Sequence, residues 1–194
     1  MNKITDFFNI VYNNVLPDKG KILVSQPFMP DGCFNRSVIL LTEYSQTGAV
    51  GFVLNKSLEI TMKDVMDDFP SGESFLSIGG PVATRDLHYL HTMNNVPDAI
   101  QVMDGIYWGG NIEVIKKLLS LCIMKPENIR FFLGYSGWSG GQLDEELKNN
   151  SWLVGDIFTG HIIHPVKNMW QEAVKNMGDE YKVWMTFPET PVLN

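Results

Sequence analysis

The sequence predicts a single domain of the α+β or irregular α/β class, and three observations predict it. Stretches of strand length and stretches of helical spacing are mixed along all 194 residues without regular βαβ alternation. Apolar residues make up 44% and charged residues 19%, the balance of a chain that buries a core of its own. No linker, low-complexity segment or internal repeat divides the chain, so residues 1–194 read as one domain.

The elements follow in order. Ile4, Phe7, Phe8, Val11 and Val15 stand at helical spacing, which predicts an amphipathic helix within residues 1–16, ended by Pro17-Asp18-Lys19-Gly20. Strands are expected at 21–25, 37–42 and 49–54, with 43–48 as a hairpin loop and 27–36 too rich in Pro and Gly for regular structure. Thr61 opens a short acidic helix that reaches Phe69, and residues 75–78, 87–90 and 100–103 read as strands. Asn111 is the N-cap of a helix to about Met124, with Ile115, Leu118, Leu119 and Cys122 on its apolar face. A buried strand over 130–135 then enters a turn carrying Gly134, Gly137, Gly140 and Gly141, and an acidic helix over 141–149 leaves it. A strand at 152–154, a helix over 165–177 and a strand over 181–187 complete the pattern.

Charge narrows the function. The net charge is −7, and no basic cluster exceeds the pair Lys116–Lys117, so the chain lacks the footprint of a stand-alone nucleic-acid binder or of a protein held by anionic lipid. There is no secretory pattern and no membrane-length apolar run, and the two cysteines have no metal or redox spacing. The expectation is a reduced, cytoplasmic protein with Cys122 in the core and Cys33 in a loop.

Each motif that could carry chemistry has a plainer structural reading. The 134–141 glycines could offer backbone N–H groups to a phosphate, but Gly-Lys-Ser/Thr is missing and Asp144, Glu145 and Glu146 fill the following helix turn. Ser136 lies in Gly134-Tyr-Ser-Gly-Trp138, one residue short of a nucleophile elbow. His88/His91 and His161/His164 would point to opposite faces if they lie on strands, so neither pair chelates a metal by itself. Gln142 and Glu146 share one helix face, and Glu146 is the stronger binding candidate of the two. No catalytic residue, metal or cofactor is assigned.

Four blocks go further. They are Gly20-Lys-Ile-Leu-Val-Ser-Gln-Pro-Phe-Met-Pro-Asp31 with Phe34-Asn-Arg-Ser-Val-Ile-Leu-Leu41, then Gly48-Ala-Val-Gly-Phe-Val-Leu-Asn55, then Gly79-Gly-Pro-Val82, and finally Gly134-Tyr-Ser-Gly-Trp-Ser-Gly-Gly-Gln-Leu-Asp-Glu-Glu-Leu147 with Trp152. In residue and order these closely resemble the AlgH/YqgE family of small bacterial proteins, whose label is transcriptional regulator. The resemblance implies a compact fold in which a bifurcated, partly barrel-like β-sheet is surrounded by helices. It implies no reaction, cofactor or catalytic residue. Ser136 stands where the family pattern has Ala, and the 3–15 helix precedes the shared blocks.

Two functional expectations result. The first is a cytosolic, non-enzymatic regulatory protein that works through contacts with a protein partner. Its surface would include Trp138, Gln142 and Glu146, with Asn35, Arg36 and Asn55 from the matching blocks. The second is a small-molecule site or enzyme in a cleft beside the 134–141 turn, with Arg36 and Glu146 as its charged groups. Direct DNA binding ranks third because of the acidic charge. The partner and the oligomeric state are not readable from the sequence.

Overall fold

The computed structural model describes residues 13–29, 31–70 and 74–188. Its ten strands form one forked sheet. One limb runs β10 (Trp152–Gly155), β1 (Ile22–Ser25), β2 (Val38–Ser45), β3 (Gly48–Val53), and meets the long strand β9 (Ile129–Ser139). Beyond β9 lie β6 (Val82–His91), β8 (Ile106–Gly109) and β7 (Ala99–Met103). The second limb is β4 (Ser57–Thr61) on β5 (Phe75–Ile78), and β5 joins β9 as a parallel neighbour.

The fork lies within β9. Its first part, Phe131–Leu133, pairs with β5, while Ser136–Ser139 pairs with β3. Gly134 stands between the two at φ 66°, and a Cβ there would meet the carbonyl oxygens of Gly80 and Val82 at 2.7 Å. Only glycine combines that backbone with that approach. Register shifts in the β2–β3, β4–β5, β6–β9 and β7–β8 pairings add local twist, and the sheet curls into a half barrel. The expected bifurcated sheet with helices around it is therefore present.

Strand alternation divides the core. Ile22, Val24, Leu40, Phe52 and Phe132 point to one side, where α5 (Met169–Met177) brings Trp170 and Val174. Leu23, Ile39, Leu41 and Val53 point to the other, under α3 (Gln142–Lys148) with its Leu143 and Leu147. A third cluster, with Met62, Phe69, Ile115 and Phe131, fills the space beneath α1 (Met62–Val65) and α2 (Ile112–Ser120). No helix among the described residues is long and apolar enough to cross a membrane.

Several expectations change. The 134–141 segment is strand as far as Ser139, and only Gly140 and Gly141 turn, because the other glycines serve close strand contact. Residues 43–45 extend β2, which shortens the hairpin loop to Gln46-Thr47. Residues 57–61 and 106–109 form strands with no strong period, and α4 (Thr159–Ile163) was also not expected. Residues 181–187 belong largely to a 3₁₀ helix, Asp179–Thr186, where Tyr181 and Trp184 pack as on a helix face. The helix after Asn111 stops at Ser120, so Cys122 is exposed at φ 54° and is not in the core; Cys33 is exposed too. Residues 1–12 of the expected N-terminal helix lie outside the described residues, and 13–15 are not helical.

His91 closes the β6–β8 pairing from inside. Its Nδ1 accepts from the Met93 N–H at 3.2 Å, so Nε2 carries the proton and donates to the Gly109 carbonyl at 2.9 Å. Burial lowers its pKa below 6.5, because the imidazolium would lose water, and this outweighs the hydrogen bonds with Gly109 and Met93. Below about pH 6.5 the unfolded chain then binds more protons than the folded one, so stability falls as pH drops through this window. The urea midpoint is expected to be lower at about pH 5.5 than at about pH 7.5, and His91→Gln to reduce that drop. An unchanged drop in the variant would contradict this role.

Candidate functional site

The six residues singled out by sequence fall into two groups on opposite sides of the sheet. In the first, Glu146 on α3 is a bracket. Its Oε2 accepts the indole N–H of Trp138 at 2.9 Å and of Trp152 at 2.7 Å, and its Oε1 accepts from Gln142 Nε2 at 3.0 Å. Gln142 Oε1 in turn accepts from the Ser139 N–H. Phe34 stacks on Trp138 and meets Trp152 edge-on. These contacts tie α3, β9 and β10 together and use every oxygen of the carboxylate in doing so.

The second group lies by α5. Asn55 accepts from the Val38 N–H and donates to the Arg36 carbonyl, which fixes Arg36 in a left-handed conformation at φ 49°. The Arg36 guanidinium sits 4.9 Å over the Trp170 ring, and its Nη2 donates to the carbonyls of Phe187 and Pro188. The neighbouring Asn35 Oδ1 is buried with no hydrogen-bond partner among the described residues. Arg36 and Glu146 form no ion pair. Residues 136–139, beside which a charged cleft was expected, pair with β3. Ser136 is fully buried and donates to the Gly79 carbonyl, a bracing role.

A residue that the sequence reading passed over organises the open space. Arg130, near the start of β9, is 4% exposed. It donates from Nε and Nη2 to Ser77 Oγ, from Nη1 to the Ile162 carbonyl at 3.0 Å, and from Nη2 to the Leu54 carbonyl at 2.5 Å. It also lies 5.0 Å over the Phe132 ring. A guanidinium has five N–H donors, so one on Nη1 has no acceptor among the described residues. No carboxylate among them pairs with it. Burial lowers its pKa to about 9, and it remains charged at neutral pH. A buried charge without a counterion costs several kcal/mol.

Arg130 lines a cavity of about 730 Å³ with Ser74, Ser77, Leu58 and Ile163. Glu59 and Glu127 stand at its exposed edge, and Glu127 is 3.7 Å from Lys125. A second cavity of about 410 Å³ is lined by Arg36, Asn55, Lys167 and the first residues of α5. Ser57 and Pro165 line both cavities, so the two form one groove. Its chemistry is two guanidinium groups with Lys167 and His164, several hydroxyls, an apolar wall and the two carboxylates at the edge. The signal for Arg130 was present in the sequence, as one cation within the apolar run Ile129-Arg-Phe-Phe-Leu133. A run buried this far leaves a guanidinium little contact with water and turns it to internal carbonyls.

A family model described as AlgH-like matches residues 22–182. A UPF0301 protein of Bacteroides thetaiotaomicron is 42% identical across the whole of both chains. One from Cytophaga hutchinsonii is 42% identical across 91% of this chain and 98% of its own. The solution structure of the AlgH protein from Pseudomonas aeruginosa has a TM-score of 0.70 at 23% identity, covering 88% of this chain and 94% of that one. A crystal structure of a Corynebacterium diphtheriae protein has a TM-score of 0.71 at 24% identity, covering 89% and 94%. Those two structures share the fold.

Proposed function

We propose that this chain, which belongs to the AlgH-like family, is a non-enzymatic regulatory protein that binds a small anionic ligand against Arg130. The observation that carries this reading is the Arg130 guanidinium, 4% exposed, without a carboxylate among the described residues, at the wall of a cavity of about 730 Å³. An anion there supplies the missing counter-charge where a low dielectric strengthens the attraction. Glu59 and Glu127 at the edge are exposed and screened by salt over about 8 Å, so they oppose the anion less than Arg130 attracts it. The net charge of −7 speaks against DNA as the direct target, so the regulatory output runs through a protein partner, in the cytoplasm.

The test is thermal unfolding of the intact protein with acetate, butyrate, inorganic phosphate and uncharged analogues. An anion at a hundred times its Kd adds about 2.7 kcal/mol. For a chain of this length that raises Tm by roughly 5–11 °C. Ser57 is exposed where the two cavities meet, so Ser57→Trp blocks the groove with little effect on the fold, and it should abolish the shift. Equal shifts with uncharged analogues, or shifts that survive Ser57→Trp, would overturn the proposal. So would a flat response to every anion.

A further inference from the structure

We infer that the groove takes a ligand with two anionic ends, one at Arg130 and one at Arg36, and that a linear α,ω-dicarboxylate is its simplest form. The inference rests on the binding function proposed above and adds the ligand's class. Arg36 is the second cation of the groove. Its Nη2 holds the Phe187 and Pro188 carbonyls, while its Nη1 has no acceptor among the described residues. Lys167 is exposed on the wall of the same cavity and adds a second positive charge. The nine-residue α5 begins there as well, and its N-cap Asn168 gives no side-chain cap bond, so the helix start adds to the positive field.

The two arginines are held from consecutive residues at the end of β3. Arg130 donates to the Leu54 carbonyl, and the Asn55 side chain donates to the Arg36 carbonyl. Their cavities share Ser57 and Pro165 in their linings, so one short ligand can face both arginine sites. Between the ends lie Ser57 and Pro165, which line both cavities, with Leu58, Ile163 and His164 beside them and the Glu59 and Glu127 carboxylates at the exposed edge. A cation in each cavity and an uncharged junction at Ser57 and Pro165 suit a ligand with anionic ends and a plain middle. The Arg36 guanidinium is held by the Trp170 ring and by the Phe187 and Pro188 carbonyls, so it loses less freedom on binding than a mobile cation would.

Isothermal titration of the intact protein with dicarboxylates of increasing length, from succinate to sebacate, tests the inference beside monocarboxylates of equal carbon number. One dicarboxylate length should bind roughly ten- to hundred-fold tighter than its monocarboxylate, the worth of one added charged hydrogen bond. Lys167→Glu should remove most of that advantage, weakening the dicarboxylate much more than its monocarboxylate. Equal affinity of the two series at every length, or affinity that only rises with length in both, would overturn the two-ended ligand while leaving anion binding at Arg130 standing. Binding of neither series would overturn the binding function with it.

Discussion

Glu146→Leu is expected to lower stability by about 4 kcal/mol, because a buried donor left without an acceptor costs about 1–3 kcal/mol and two are created at once. The donors are the indoles of Trp138 and Trp152, which are 6% and 0% exposed. Leucine restores neither bond and also releases Gln142 from its turn. In Tm the loss is about 8–16 °C for a domain of this size. Glu146→Gln keeps an amide oxygen for the indoles and gives up the Gln142 contact, so its loss should be less than half as large. Calorimetric melting of both variants checks this. A loss below about 3 °C for Glu146→Leu would show that the carboxylate is not the bracket described.

Arg130→Met carries the second large effect, and here two contributions oppose each other. Removing the cation relieves a burial cost of several kcal/mol. It also strips donors from the Leu54 and Ile162 carbonyls and from Ser77 Oγ, at about 1–3 kcal/mol each. Methionine has no donor to offer any of the three, so the losses exceed the gain and the variant should be less stable by about 2–3 kcal/mol. Arg130→Lys keeps the charge and some of the bonds, and should fall between the two. Both variants should lose the anion response, Arg130→Met completely. A variant at least as stable as the parent would show that the carbonyl bonds contribute less than the buried charge costs.

Sequence pattern revealed more of the fold than of the site. The strands that bury both faces, β1 and β2, announce themselves as apolar runs, and Asn111 caps α2 through Glu113 and Val114 as its residue type predicts. The 134–141 glycines misled because a positive-φ glycine at a sheet fork has the same letter as one in a turn. Only tertiary packing, the carbonyls of Gly80 and Val82 against Gly134, tells them apart. The 3₁₀ segment Asp179–Thr186 was read as strand because Tyr181, Val183 and Met185 alternate in the sequence, whereas packing against α5 sets its conformation. Among site residues, Arg36 and Asn55 were legible as polar residues in distinctive blocks, and they line the groove. Trp138, Gln142 and Glu146 were equally legible, but the structure uses them to join elements. Arg130 was hidden because its importance comes from having no counterion among the described residues, and sequence does not report distances.

The most direct test of anion binding at Arg130 is an NMR titration of the arginine side-chain N–H signals of the intact protein with butyrate, assigned with Arg130→Lys. The account predicts a saturable shift of the Arg130 Nε–H signal, with the Ser77 backbone amide moving on the same curve. Saturable shifts confined to other arginines, or an Arg130 signal that stays still while the protein is stabilised by the same anion, would contradict it.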